Sequence, residues 1–239
     1  MVAINQIDKN NFLLSSDDHA IDINAQWFDV DYWQDNQAII GSSTGRNTTY
    51  FFQHDDAEYV LRHYYRGGLI GKFNRDKYLY RSIEQTRVYQ ELALLASLRS
   101  LNLPAPEPVA GRVKVEGLFY RADLITGKIP QATDTFHKLL SSRLSEQQWH
   151  SIGATIKRFH QHNVYHADLN IHNIMQTDSG DIWLIDFDRG QIKHSNDQTW
   201  KQQNLDRLLR SLNKEQKKYP EFQWQQQEWQ YLLNGYQSA

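Results

Sequence analysis

The sequence predicts an α+β fold in two lobes, β-rich in its amino-terminal part and mostly helical in its carboxy-terminal part. Three observations carry this. Short β-prone runs crowd residues 37–64. Helical spacing of apolar residues dominates 145–163 and the last forty residues. With 239 residues and no internal repeat, the chain is long enough for two lobes around a shared cleft. The expected lobes are residues 1–125 and 126–239, joined near 123–128 and together forming one domain.

The elements follow in order. QAIIGSSTGRNTTYFFQ (37–53) holds two β-prone runs around a Gly/Ser/Thr loop, and EYVLRHYY (58–65) is a third run. Residues 82–100 read as a helix, with Ser82 and Gln85 as a capping box and Val88, Leu92, Leu95 and Leu98 at helical spacing. Glu84 and Glu91 lie close to that stripe, and a carboxylate buried there needs a cationic partner. LPAPEPV (103–109) ends the helix and returns the chain to extended structure. GLFYRADLI (117–125) reads as a strand. Residues 145–163 read as a helix capped by Ser145 and Gln148, with Trp149, Ile152, Ile156 and Phe159 on one face. IWLIDF (182–187) reads as a short buried strand. In the last forty residues, Leu205, Leu208, Leu209 and Leu212 face one way, while Arg207, Arg210, Lys214, Lys217 and Lys218 load the region with positive charge. Such a pattern is commonly a solvated face over a helical core. The alternative is that these basic residues, with Trp224 and Trp229, rest on anionic lipid.

Composition narrows the class. With 40% hydrophobic and 23% charged residues the chain reads as soluble and globular. Its 26 basic and 28 acidic residues leave a net charge of −2, which gives no general attraction to nucleic acid. The absence of cysteine excludes disulfides and thiolate-bound metals and fits a reducing compartment. The start, MVAINQIDKNNF, lacks the pattern of a signal peptide, and no apolar run approaches a membrane span of ~20 residues. The expected location is cytosolic or peripheral.

HADLNIHN (166–173) combines polar groups that core packing does not require. Phosphoryl transfer needs a loop over the phosphates, a cation to hold them, a carboxylate for the attacking hydroxyl and two side chains for Mg²⁺. The chain offers each in order. GSSTGRNTTY (41–50) is the loop, with Gly41 and Gly45 allowing close backbone approach. Arg62, at a strand end, can hold phosphate, with Glu91 or else Glu84 to orient it. Asp168 is placed to accept the hydroxyl proton, and Asn173 and Asp186 to hold Mg²⁺. His160, His162, His166 and His172 are close in sequence, but they share no H-E-x-x-H frame, so zinc is disfavoured. His166 is expected to order the loop backbone.

At these residues the chain resembles the protein-kinase-like fold. It departs from protein kinases at Asn170, where they carry lysine, and at Asp188, where they carry glycine. Nothing resembles an A-P-E segment. LRHYYRGGLIGK (61–72), Tyr78, QELALLASLRSLNLPAPEPVA (90–110), RADLITGKIP, HADLNIHNIM, WLIDFDRG and NLDRLLRSLNK together are similar to the 3-deoxy-D-manno-octulosonic acid (Kdo) kinase family, related to the lipopolysaccharide core heptose kinases. The family carries arginine at the position of Arg62.

That resemblance implies an ATP-dependent kinase acting on the 4-hydroxyl of a Kdo sugar on a lipid A precursor, peripheral on the cytoplasmic face of the inner membrane. It implies ATP and Mg²⁺, with Asp168 as base and Asn173 and Asp186 as metal ligands. It also implies a hinge at Asp123 to Ile125 that meets adenine through backbone groups. No nucleic acid and no obligate protein partner are expected. Because the acceptor carries a carboxylate and phosphates, Arg46, Arg66 and Lys72 are its candidate contacts, with a structural role in the RGG turn as the alternative for Arg66. Two rival readings stand beside this one. The first is a heptose kinase or another small-molecule phosphotransferase, and the second is a nucleotide-binding pseudokinase.

Overall fold

The structure, a computed structural model, describes residues 2–16, 23–44, 48–66, 76–194 and 197–239. It divides into two compact units: Met1–Ser97 with Glu107–Lys128, and Leu98–Pro106 with Ile129–Ala239.

The first unit is built on β1 (Val2–Gln6), β2 (Asn11–Ser16), β3 (Ile39–Thr44), β4 (Thr48–His54), β5 (Ala57–His63), β6 (Tyr78–Leu79), β7 (Pro108–Glu116) and β8 (Phe119–Gly127). These pair antiparallel in the order β1-β2-β7-β8-β5-β4-β3, with β6 against β8. The sequence places the lobe boundary at 125, but β8 runs on to Gly127, which pairs with Tyr59, and the Lys128 amide donates to the Glu58 carbonyl. Hydrogen bonding therefore carries the first unit three residues further. In the second unit, the Leu184 amide donates to the Pro104 carbonyl, which ties in the segment after the long helix.

The sequence assigned nothing before residue 37, yet that region carries a core. A 3₁₀ turn at Ala25–Phe28 and α1 (Val30–Asp35) are capped by the side chains of Asn24 and Asp29. They bring Trp27 and Trp33 onto Phe52 and Tyr59. Trp33 stacks on Phe52 with centroids 4.2 Å apart, and Trp27 meets Trp33 edge-on at 5.4 Å. A six-residue helix is too short to show a period, so pattern reading passes it by.

α2 (Arg87–Ser100) begins five residues later than the sequence suggests. Thr86, not Ser82, is its cap: the Thr86 hydroxyl donates to the Ile83 carbonyl and accepts from the Tyr89 amide. The expected stripe of Val88, Leu92, Leu95 and Leu98 is fully buried. Glu91, on the same helix, is buried with it.

The second unit contains β9 (Ala132–Asp134), α3 (Thr135–Ser141), α4 (Glu146–Gln161), β10 (Val164–Tyr165), β11 (Ile174–Thr177), β12 (Ile182–Leu184), β13 (Gln191–Ile192), α5 (Thr199–Lys218) and α6 (Glu228–Ser238). The capping box at Ser145 and Gln148 is present, and Trp149, Ile152, Ile156 and Phe159 are buried. Leu205, Leu208 and Leu212 of α5 are buried, and Leu209 is half-buried. Trp224 is 1% exposed and belongs to the core, so it is not available to a lipid surface.

α4 and α6 touch through two glycines. A Cβ on Gly153 would stand 2.0 Å from the Leu232 carbonyl oxygen, and one on Gly235 would stand 2.0 Å from that of His150. The obstructing atoms are helix backbone, which cannot rotate aside. Gly153→Ala and Gly235→Ala are each expected to lower the urea midpoint by the equivalent of about 3 kcal/mol, the upper range for overpacking. A change within ~0.5 kcal/mol in either variant would show that the helices can separate at little cost.

Candidate active site

The catalytic-loop candidate lies between β10 and β11, and its geometry starts at His166. This side chain is buried. Its Nδ1 accepts the Asp168 amide at 3.1 Å, so the proton must sit on Nε2, which donates to the Ile185 carbonyl at 2.9 Å. Burial lowers the affinity of His166 for a second proton and outweighs the carbonyl and the nearby carboxylates. A neutral imidazole thus connects the loop to the segment that carries Asp186.

The main chain of Asp168 is pinned at both ends. Its carbonyl accepts Asn173 Nδ2 and Asn170 Nδ2, each at 3.0 Å. Asn170 Oδ1 accepts the His172 amide at 2.9 Å and so caps the 3₁₀ turn Ile171–Asn173. The Asp168 side chain is 46% exposed. Its Oδ1 accepts both Arg207 Nε at 2.8 Å and Arg207 Nη2 at 2.5 Å. Among the described residues its Oδ2 accepts no hydrogen bond.

The β11–β12 hairpin brings the metal candidates together. Ile174 pairs with Leu184, and the Ile185 amide donates to the Asn173 carbonyl at 3.0 Å. Asp186 follows at once, with φ at +62°, a left-handed backbone that aspartate tolerates better than most residues. Strand β12 itself ends at Leu184, so Asp186 lies beyond the expected strand. Phe187 anchors the turn, fully buried and stacked on Phe159. Asn173 Nδ2 is committed to Asp168, which leaves its amide oxygen as the candidate ligand atom. An amide oxygen beside a carboxylate is a hard-oxygen pair suited to Mg²⁺. The four histidines form no metal cluster among the described residues.

α5 holds this loop. Asn204 Oδ1 accepts the His166 amide at 3.2 Å and Asn204 Nδ2 donates to the His166 carbonyl at 2.9 Å. One turn on, Arg207 reaches Asp168, and a further turn on, Ser211 Oγ accepts the Ile171 amide at 3.2 Å. Spacing of three and four residues puts all three on one helical face.

In the first unit, Arg62 of β5 donates from Nη2 to Glu91 Oε1 at 2.5 Å. The second oxygen of Glu91 accepts the Tyr64 hydroxyl at 2.5 Å. Glu84 does not take this part: its carboxylate is held below the usual range by its own amide and by Ser82. Gly41 lies in β3 opposite Phe51, beside a β-bulge. Arg66 stacks over the Tyr78 ring at 4.9 Å. Gly45, Arg46 and Lys72 lie outside the described residues.

A profile of the lipopolysaccharide kinase (Kdo/WaaP) family matches residues 30–236. The chain belongs to that family. It is 43% identical over 213 residues to a protein of Vibrio parahaemolyticus named 3-deoxy-D-manno-octulosonic acid kinase, covering 89% of each chain. It is 41% identical over 237 residues to one of Mannheimia succiniciproducens with the same name, covering 96% of this chain and 98% of that one. It is 38% identical over 235 residues to one of Haemophilus influenzae, again so named, covering 95% and 96%. The β-rich first unit and mainly helical second unit, each α+β in content, are thus those of a lipopolysaccharide kinase.

Two expectations for this kinase need correction. Asp123 and Ile125 are not at a hinge. Both sit inside β8, Asp123 between His63 and Arg112 and Ile125 between Leu61 and Ala110, where the ladders use the strand's main chain. The Asp123 carboxylate binds His63 Nδ1 at 2.6 Å and Arg112 Nε at 2.8 Å. Burial opposes a charged His63, but Asp123 and Asp76 outweigh it and raise its proton affinity. The other correction is Arg207, which the sequence grouped with a basic surface face and which instead binds the candidate base. Asn204 went unnoticed as well; an amide on the apolar side of a helix was the available signal.

His160 shares Asn204 with the loop, its Nε2 lying 3.3 Å from Asn204 Oδ1. Burial drives His160 down to about 4, and His166 moves in the same direction. The unfolded chain, with imidazoles near ~6.5, binds more protons below that pH than the native chain does. Stability is therefore expected to be complete above pH ~6.5 and to decline as pH falls towards ~4, by roughly 3 kcal/mol from His160 alone. Urea midpoints between pH ~7.5 and ~5, above most carboxylate titration, measure this. His160→Gln is expected to flatten the slope, and an unchanged slope would remove His160 from the account.

Proposed function

We propose that this lipopolysaccharide kinase transfers the γ-phosphate of ATP to the 4-hydroxyl of a Kdo sugar on a lipid A precursor, during assembly of the inner core. The observation that carries this is the state of Asp168, in a chain whose relatives are named for Kdo phosphorylation. Its main chain is fixed from three side chains, one carboxylate oxygen is held and the other is open.

Asp168 Oδ2 accepts the proton of the acceptor hydroxyl as that oxygen attacks phosphorus. Asn173 and Asp186 hold Mg²⁺, which when bound screens the charge on the phosphates. Arg62 meets a phosphate of ATP, with Glu91 fixing its direction and the backbone at Gly41 approaching the nucleotide. Arg66, with Arg46 and Lys72, reads the carboxylate and phosphates of the acceptor. The enzyme works at the cytoplasmic face of the inner membrane because its acceptor is a lipid. Among the described residues no helix is long and apolar enough to cross a membrane.

The test is mass spectrometry of a Kdo-bearing lipid A precursor after incubation with ATP and Mg²⁺. The native chain is expected to add one phosphate, located on the sugar. Asp168→Ala is expected to slow that gain by about 10²–10⁴-fold, the usual contribution of a general base. A native chain that binds Mg-ATP yet leaves this lipid unmodified would overturn the acceptor assignment and turn attention to heptose acceptors.

A further inference from the structure

We propose that Arg207 is a further cation of this active site, the one beside the base: Nε and Nη2 hold Asp168 Oδ1, while its remaining edge, Nη1, contacts the phosphoryl group in flight. The inference rests on the kinase reading above and extends it to a residue outside the loop and hairpin motifs.

The loop cannot supply this charge itself. The position two residues after Asp168 is Asn170, and both ends of its amide are committed to the backbone of the turn. Charge must come from elsewhere, and α5 delivers it. Asn204 and Ser211 fix the helix to the loop on either side of Arg207, so the backbone that carries the arginine is held against the loop by hydrogen bonds one turn away in each direction. Both of its donors converge on one oxygen instead of forming a two-oxygen fork. That geometry leaves Asp168 Oδ2 for the acceptor, and among the described residues it leaves Nη1 uncommitted. The guanidinium is also 47% exposed. An ion pair this open contributes little to stability. Its placement matches what transfer needs, a planar cation beside the base where negative charge gathers on phosphoryl oxygens.

In the step itself, the bond from the γ-phosphorus to the bridging oxygen of ATP breaks, and ADP departs with its electron pair. A bond from phosphorus to the acceptor oxygen forms, and the acceptor proton passes to Asp168 Oδ2. Arg207 gains and loses no proton; it balances charge.

The test compares the native chain with Arg207→Gln, Arg207→Lys, Asp168→Asn and the Arg207→Gln/Asp168→Asn double variant. Two reactions are read, phosphate transfer to the Kdo lipid and the slower transfer to water. Arg207→Gln is expected to lower kcat by about 10²–10³-fold in both reactions. The KM values should stay within ~3-fold and the Tm within a few degrees, as befits an exposed pair. Arg207→Lys is expected to recover part of the loss. The loss should persist when Asp168 is already Asn, because contact with the phosphoryl group does not pass through the carboxylate. Arg207→Gln with near-native kcat, or a loss that vanishes beside Asp168→Asn, overturns the proposal and leaves Arg207 as a positioning residue at most. Native transfer to water but not to the Kdo lipid sinks the acceptor reading alone, and the water reaction still decides Arg207. A native chain that phosphorylates neither overturns the kinase reading and this inference with it.

Discussion

The buried amide of Asn204 meets the two main-chain polar groups of His166, one with its oxygen and one with its nitrogen. A polar group buried without a partner costs about 1–3 kcal/mol, so this residue offsets two such costs at the head of the loop. The consequences spread by direct contact. Once the His166 backbone is fixed, its imidazole aims one nitrogen at the Asp168 amide and the other at the Ile185 carbonyl. The ring must be neutral for both contacts to exist, because an imidazolium has no acceptor. Burial makes the neutral form the stable one. A helix, a loop and a hairpin are thereby locked through one amide and one imidazole.

The lock explains why an unusual backbone is tolerated next to it. Asp186 takes a positive φ, a conformation that costs most residues of order 1 kcal/mol or more. Its neighbours hold it there. Ile185 is bonded on both sides, its amide to Asn173 and its carbonyl to His166, and Phe187 is buried. The left-handed turn follows the end of β12 at Leu184. Asn173 reaches the same place from the opposite strand, since its neighbour Ile174 pairs with Leu184. Hairpin register thus brings the backbones that flank the two candidate ligands, one before β11 and one after β12, within a hydrogen bond of each other.

What could be read from the sequence was local. HADLNIHN and LIDFD are compact, so the closeness of Asp168, Asn173 and the segment that carries Asp186 was legible from short spacing. Glu91 was legible as the partner of a cation because a carboxylate close to an apolar stripe needs one. The capping box at Ser145 was legible, whereas the one at Ser82 was not real, because Thr86 offered a better-placed hydroxyl closer to the stripe. Arg207 was illegible for a different reason. It lies 39 residues from Asp168 in the chain, and an arginine on a basic helix looks the same whether it faces lipid, water or a carboxylate. Asp123 was read as a strand residue, but the hinge placed there by resemblance overlooked its partners His63 and Arg112, which come from neighbouring strands that spacing does not reveal.

Two of the arginine–carboxylate pairs of this kinase, Arg62–Glu91 and Arg207–Asp168, are built for different ends. Glu91 is buried, and each of its oxygens is engaged, one by Arg62 and one by Tyr64. Removing the partner of such a carboxylate strands a buried charge, which costs roughly 3–5 kcal/mol. That pair behaves as framework, and the direction of Arg62 is set before any ligand arrives. Asp168 and Arg207 are each about half exposed, and one oxygen of Asp168 stays open. Solvent screens their attraction, so a ligand can compete for either partner without unfolding anything. On the proposed reading, in which Asp168 takes the acceptor proton, a contact of the second kind is what the base requires. A contact of the first kind suits a side chain, such as Arg62, for which only a fixed direction is required.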